Sequence, residues 1–414
     1  MRAVAAGSVG NFVEWYEFAV YGFLATVLAE RFFTPAGGGA VEGLVRTYAS
    51  FALAFFFRPL GAVLFGRLGD RYGRRPVLIG VVALMSGATA LIGALPTYGT
   101  AGALAPWLLT FLRVVQGLAA GGEFGGAVAV LTEFAPPGRR GLYGAWQSFT
   151  VALGLLGGAA VKGVAAAVLG TDRLSAWGWR LPFLLAVPLG LPALWLRTGL
   201  AESPDFLERP RSPGKRPGRG AVMLAAGRVM GWAAAGYTFL VVLPSYLRTA
   251  LHAGFGQALL AAAVANAGFA AAILPAGALS DRVGRRPVLI AGAVLVVATA
   301  LPVLNLLQDP GTPPAAKACA LAGAGAVVGL MAGPGPALLA EMFPSHVRWT
   351  GLGLAYALSD AVFSGCAGLI ITEAVRRTGD PDVPGYYAAA ACAVSALLLL
   401  KRAPGEGSRR KPCE

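Results

Sequence analysis

The sequence predicts an all-α membrane protein in which twelve transmembrane helices form two pseudo-symmetric six-helix bundles, and three observations carry that prediction. First, Leu68-Gly69-Asp70-Arg71-Tyr72-Gly73-Arg74-Arg75-Pro76-Val77-Leu78-Ile79 returns as Leu279-Ser280-Asp281-Arg282-Val283-Gly284-Arg285-Arg286-Pro287-Val288-Leu289-Ile290, each copy between long apolar runs. Second, Glu133, Pro136 and Arg140 recur at the same spacing as Glu341, Pro344 and Arg348. Two separate echoes at nearly one offset mean a doubled unit. Third, 56% of the 414 residues are apolar and 13% charged, about half the charged share of a soluble domain. A spanning helix needs about 20 apolar residues, and this length accommodates about twelve such helices with tight loops.

Taken in order, residues 1–30 form the first span; Asn11, Glu14 and Glu17 interrupt it too often for a secretory signal. The next five lie near 47–68, 76–96, 105–133, 141–169 and 179–199. The stretch from Glu202 to Gly220 is rich in Pro, Arg and Lys and reads as a linker. Spans seven to twelve lie near 221–250, 257–280, 287–307, 316–341, 347–374 and 385–401. The expected division is a bundle over 1–200, a linker over 201–220, a bundle over 221–402 and a tail over 403–414.

Lys and Arg crowd the loops after the even-numbered spans, among them Arg209, Arg211, Lys215 and Arg216 in the linker, with Arg409, Arg410 and Lys411 in the tail. Positive loops stay inside, so both termini are expected in the cytoplasm and the chain in the cell membrane. The basic balance, 34 Lys and Arg against 20 Asp and Glu, does not indicate nucleic acid, because the cations sit in short loops rather than on one soluble face. Cys319, Cys366, Cys392 and Cys413 are scattered, with neither a metal spacing nor a disulfide framework. No Gly-rich phosphate loop or Ser/His/Asp set is visible, and His252 and His346 sit at loop edges, so neither an enzyme nor a cofactor is expected.

Charge inside the spans points to function. An ionised side chain at a helix centre costs roughly 2.5–3.5 kcal/mol on insertion scales and needs a partner or a wet cavity. The first span offers Asn11, Glu14, Glu17 and Tyr21 on a broad face. The fourth offers Arg113, Gln116 and Glu123 on one face, with Gly117, Gly121 and Gly125 on another, spaced for close helix contact. Glu17 and Arg113 are expected to form a coupling pair. A carboxylate beside a guanidinium can switch between holding and releasing a proton as the pair is parted, and the guanidinium suits an anionic substrate. In the second half Tyr237, Asn266, Tyr356 and Asp360 are the polar candidates for a shared cavity. Arg228, about two turns into the seventh span, has no evident purpose in the sequence.

These residues reach a family. The loop Gly66-Arg67-Leu68-Gly69-Asp70-Arg71-Tyr72-Gly73-Arg74-Arg75 resembles the signature of the major facilitator superfamily. The first span, Gly10 to Gly22, is similar to that of its metabolite:proton symporter branch, as are Arg113-Val114-Val115-Gln116-Gly117, Gly121-Gly122-Glu123-Phe124-Gly125-Gly126, Gly178-Trp179-Arg180-Leu181-Pro182-Phe183 and Glu341-Met342-Phe343-Pro344. The resemblance implies the twelve-helix major facilitator fold alternating between inward-open and outward-open states. It implies a cytoplasmic latch made of Asp70, Arg71, Arg74, Arg75, Glu133 and Arg140 with Asp281, Arg282, Arg285, Arg286, Glu341 and Arg348. It also implies an acid and an arginine at the Glu17 and Arg113 positions, and cavity-facing tyrosines at 237 and 356. The chain departs from the branch at Ser364-Gly365-Cys366-Ala367-Gly368, where a Gly-Gly with a nearby Pro is usual. It also lacks, at Gly154 to Gly158, the Gly-Pro pair of drug-exporting relatives. The expected function is proton-coupled uptake of a small organic acid or zwitterion, with proton-driven export of a polar metabolite as the alternative. The expected partners are substrate, proton and lipid bilayer, with no nucleic acid and a monomeric state.

Overall fold

Twelve apolar helical stretches order the chain in the computed structural model, which describes residues 2–34, 40–199, 202, 207, 218–249, 251 and 253–401. Most of the linker and all of the tail expected from the sequence lie outside the described residues. The first span, α1, is Gly7–Phe23 continued by Ala25–Phe33 after a 63° bend. The others are α2 (Val45–Tyr72), α3 (Arg74–Ala94), α4 (Leu104–Glu133), α5 (Arg140–Gly170), α6 (Leu174–Thr198), α7 (Arg219–Arg248), α8 (Gly256–Val283), α9 (Arg285–Gln308), α10 (Pro314–Met342), α11 (Ser345–Thr378) and α12 (Val383–Leu400). Each is long and apolar enough to cross a membrane, and no strand occurs among the described residues. Helices are what lipid requires, because each helix satisfies its own backbone polar groups.

The two halves pack alike. α2 lies on α4, α1 on α5 and α6, and α3 on α4 and α6; in the same way α8 lies on α10, α7 on α11 and α12, and α9 on α10 and α12. The halves meet where α5 touches α8 and where α11 touches α2 and α4. Glycine makes the tightest of these contacts possible. A Cβ on Gly117 would stand 2.2 Å from the Ala54 carbonyl oxygen, and one on Gly121 2.0 Å from that of Arg58. Gly125, expected on the same smooth face, serves a different neighbour: it faces the Trp349 ring of the other half.

The repeated charged segment is less of a loop than its composition suggests. Asp70 and Arg71 end α2, Arg74 and Arg75 begin α3, and only Gly73 leaves the helical conformation, at φ 110°. Gly284 makes the same turn between α8 and α9 at φ 99°. Side chains other than glycine rarely adopt that backbone, which accounts for glycine in both copies.

Candidate functional site

The interior charge centres on a residue that the sequence reading passed over. Arg58 stands in the middle of α2 and is buried, its side chain 3% exposed. It ion-pairs with Asp360 of α11 across the two halves, and with Glu14 of α1 at 3.4 Å. Phe55 lies one turn back on α2, and its ring centroid is 4.3 Å from the guanidinium carbon, with the neighbouring Phe18 ring at 4.5 Å. Such contacts are worth about 2 kcal/mol when desolvated. Asp360, a candidate from its mid-span position, thus has its partner 302 residues away.

A cavity of about 460 Å³, open space included, lies beside this pair between the halves. Its polar wall is Asp360, Ser148 and Ser364, and its aromatic wall is Trp15, Trp232, Tyr237 and Tyr356. Two ring contacts cross between the halves here: Phe124 stacks on Tyr356 at 3.6 Å, and Phe55 meets Tyr237 edge-on at 5.6 Å. α7 and α11 both widen into π-helical turns at this level, over Tyr237–Val242 and Ala361–Gly365. Such turns are frequent at functional sites. The second includes Ser364, where the sequence departs from the pattern of the branch it resembles.

Glu17 and Arg113 are not in direct contact, which corrects the expectation of a pair. Thr89 of α3 donates to Glu17 Oε2, Gln116 Nε2 donates to Thr89, and Arg113 donates to Gln116 Oε1 at 2.7 Å. The two charges are joined through two neutral side chains because the guanidinium sits instead among rings, 4.2 Å from that of Tyr21, 4.9 Å from Phe18 and 5.0 Å from Phe51. Thr89 has one hydroxyl hydrogen and two acceptors in reach, Glu17 and the Met85 carbonyl at 3.0 Å. A protonated Glu17 can donate to Thr89 while Thr89 turns to Met85; an ionised Glu17 takes the Thr89 hydrogen. The network therefore suits either state.

Of the other residues expected at the cavity, Tyr237, Tyr356 and Asp360 line it, and Glu14 reaches Arg58 behind it. Five do not line it, because each has a polar partner elsewhere. Asn11 donates to the Gln147 carbonyl and to Thr150 of α5, at 2.8 and 2.9 Å. Tyr21 bonds to Ser50 and Gln116 to Thr89. Asn266 donates to the carbonyls of Leu240 and Ala262. Glu123 is held by Arg197 of α6, a second buried arginine that the sequence reading missed, with Nη1 to Oε2 at 2.9 Å. Arg228 gains a purpose: it donates to the carbonyls of Leu398 and Lys401, fastening the end of α12.

At the face carrying the Gly73 and Gly284 turns, the halves are joined on two flanks. Asp70 accepts from the Thr350 backbone N–H and hydroxyl of α11, at 2.9 and 2.6 Å, and from Arg74 at 2.7 Å. Arg74 also reaches Glu133 and the Ser345 carbonyl, both at 3.1 Å, and Arg348 adds a pair to Glu133 at 2.9 Å. Trp349 enters a socket of glycines, and its indole N–H donates to the Gly122 carbonyl. On the opposite flank Asp281 accepts from the backbone N–H groups of Gly141 and Leu142, at 2.7 and 2.9 Å. Each carboxylate thus sits at the start of a helix of the other half, where helix dipole and free N–H groups favour negative charge.

The remaining expected latch residues do not cross between the halves by any contact described. Arg285 pairs with Asp281 at 2.9 Å and with Glu341 at 3.0 Å, all within one half. The backbone N–H groups of Arg74 and Arg75 donate to Glu202, at the start of the expected linker. Arg71 lies over the Tyr72 ring, and Arg286 is half-buried. Arg140 and Arg282 are exposed. Among the described residues no ion pair joins Arg140 to Glu341, although the repeat predicts one to match Arg348 with Glu133.

Two family models match the chain: "Sugar (and other) transporter" over residues 3–212 and "Major Facilitator Superfamily" over residues 229–412. A proline/betaine transporter of Salmonella typhimurium is 32% identical over 93% of this chain and 80% of its own length. The alpha-ketoglutarate permease of Escherichia coli is 34% identical over 98% and 95%. The citrate-proton symporter of Klebsiella pneumoniae is 35% identical over 97% and 91%. Among solved structures, the proton:xylose symporter XylE bound to a bromodeoxyglucose superimposes with a TM-score of 0.81 at 19% identity, covering 96% of this chain and 94% of that one.

Proposed function

The chain belongs to the major facilitator superfamily, and on that premise we propose that it is a proton-coupled symporter carrying a compact zwitterion of the betaine or proline type. The observation that carries this reading is the Arg58–Asp360 pair beside a cavity walled by Trp15, Trp232, Tyr237 and Tyr356. A methylated or ring ammonium suits aromatic faces beside a carboxylate, and a substrate carboxylate suits a guanidinium in the bidentate manner. A zwitterion replaces both ends of the internal pair at once, so Arg58 and Asp360 each exchange one partner for another and neither charge is stranded. A substrate with several carboxylates meets Asp360 as a like charge, which argues for the betaine-type relatives over the citrate type. Glu17 holds the proton in this reading, with Thr89 and Gln116 linking it to Arg113. The protein acts as a transporter with no catalytic residue and no cofactor.

The face bearing the Gly73 and Gly284 turns is assigned to the cytoplasm, with both termini, because its loops carry the excess of Arg. The bundles are assigned to 1–200 and 221–402, and one chain, embedded in the cell membrane, is a complete transport unit. Asp70 and Asp281, with Arg74, Glu133 and Arg348, act as the latch that keeps this side shut. Loss of a helix-capping carboxylate costs about 0.5–2 kcal/mol, so Asp70→Ala is expected to open the cytoplasmic side more often. Ala337, fully buried against Gly144 of the other half, reports it. A cysteine placed there on a cysteine-free background is expected to react with a maleimide about tenfold faster in the Asp70→Ala protein. An unchanged rate removes Asp70 from the latch.

Uptake of radiolabelled glycine betaine and of proline into proteoliposomes with an acidic exterior tests the whole reading. Accumulation that collapses with a protonophore is the expected result. Accumulation of citrate or alpha-ketoglutarate alone replaces the zwitterion by an organic acid, and accumulation that rises when the gradient is reversed replaces symport by antiport.

A further inference from the structure

A second void lies wholly inside the first bundle, between α1, α3 and α4, and nothing in the transport reading above uses it. It is lined by Gly10 and Glu14 of α1, Met85 and Ser86 of α3, and Ala120 and Glu123 of α4, and has room for about one water. Two of its lining residues, Glu14 and Ser86, carry an oxygen (Glu14 Oε2 and Ser86 Oγ) that is buried without a close hydrogen bond, and the Ser86 hydroxyl is turned to the Glu17 carboxylate. The two residues are 3% and 6% exposed. Buried groups of this kind are almost always satisfied, by ordered water where protein does not reach. Glu123, both of whose carboxylate oxygens accept from Arg197, is the third polar residue of the lining, and three partners are what a buried water ordinarily has.

The position gives the void its meaning. Glu14 has two faces: Oε1 is turned to Arg58 at the cleft, while Oε2 is one of the buried atoms left unpartnered beside the void. Ser86 is one turn from Thr89, which holds Glu17, and Glu14 is one turn from Glu17 on α1. On α4 the polar positions run from Arg113 through Gln116 to Glu123, about 15 Å along the axis. The charged groups around the void are Glu14 and Glu17 from α1, Arg58 from α2, Arg113 and Glu123 from α4, Arg197 from α6 and, beyond Arg58, Asp360 from α11; α3 contributes only hydroxyls. Gly10 makes room for the Arg197–Glu123 pair at the edge of the void, since a Cβ there would stand 2.1 Å from Arg197 Nη2.

We propose that this void is a hydrated proton station, one water held by Glu14, Ser86 and Glu123, through which the proton of the symport cycle passes inside the bundle rather than down the cleft that the substrate takes. The proposal rests on the proton-coupled reading. In the transfer, the acid at Glu17 gives its proton to the Ser86 hydroxyl oxygen, Ser86 passes its own hydroxyl hydrogen to the water, and the water passes one of its hydrogens to the Glu14 carboxylate. Glu17 ends ionised, Glu14 ends protonated, and Ser86 and the water end neutral. No electrons change hands.

Radiolytic hydroxyl-radical labelling of the full chain in nanodiscs tests the station without any substrate, because radicals born from a bound water oxidise the side chains that touch it. Met85 lines the void, whereas Met331 lines neither cavity, and both are buried, at 4% and 1% exposed. Met85 is expected to be oxidised at least about tenfold faster than Met331, and filling the void with Ser86→Leu should bring the two rates together. Equal rates in the unaltered protein overturn the station. Ser86→Ala, which removes only a hydroxyl, is expected to slow proton-driven glycine betaine accumulation about tenfold in proteoliposomes; an unchanged rate overturns the route even where the water is found. Lack of glycine betaine transport by the unaltered protein falls on the substrate reading instead, and the labelling then decides the station by itself.

Discussion

Arg58→Met is expected to abolish uptake and to lower the melting temperature more than any other single substitution in the cleft. Arg58 serves two carboxylates from two helices in different halves, and both are buried. Methionine keeps the aliphatic stem as far as the Nε position and gives up the guanidinium contact with Phe18 and Phe55, so packing is the smaller loss. The larger loss is electrostatic: Glu14 and Asp360 remain, close together and without their cation. Breaking a buried pair by removing one partner costs about 3–5 kcal/mol, because the other charge is stranded. Arg58→Met combined with Asp360→Asn removes the stranded charge on α11, so more than half of the lost stability should return while transport does not. Thermal unfolding in detergent and uptake in proteoliposomes measure the two effects separately. A single variant that melts like the unaltered protein means that Arg58 holds neither partner firmly, and full uptake by the double variant removes the pair from substrate binding.

Glu17→Gln is expected to uncouple transport without stopping it. The glutamine amide donates to Thr89 as a protonated glutamate does, so the chain through Gln116 to Arg113 keeps its geometry. What it loses is the ability to release a proton. One pH unit is worth about 1.4 kcal/mol per proton, so a one-proton symporter concentrates a neutral substrate about tenfold against that gradient. The variant should bring internal and external glycine betaine to equality and no further, while still exchanging labelled for unlabelled substrate. Accumulation to the level of the unaltered protein would place the proton elsewhere.

The span boundaries were legible because lipid is an undemanding code: apolar runs of sufficient length, closed by Arg-rich turns. The second to fifth predicted spans differ from α2 to α5 by no more than a few residues at either end. Arg58 was legible as well, in principle. It stands in Phe55-Phe56-Phe57-Arg58-Pro59, where an unpaired cation is costly, and the same argument that singled out Arg113 applies to it. Its partner was not legible, since nothing in spacing joins α2 to a residue of α11. Glu17 and Arg113 show the opposite difficulty. They lie on packed helices, and it is the rings of Tyr21, Phe18 and Phe51 around the guanidinium that keep it from the carboxylate. The glycines of α4 were read as one smooth face, yet Gly125 receives a tryptophan from the other half, which a view of one helix at a time does not contain.

The doubled ancestry leaves unequal bolts on the two sides of one door. On the Asp70 side four contacts between the halves and a seated indole must part together, whereas among the described residues the Asp281 side has two backbone donors at this face and, deeper in the seam, the Ser148 hydroxyl donating to the Ala332 carbonyl. Of two flanks built on the same repeated segment, the one between α5 and α8 has the fewer polar bonds to break at this face, and a motion that parts the halves here is expected to start at that seam.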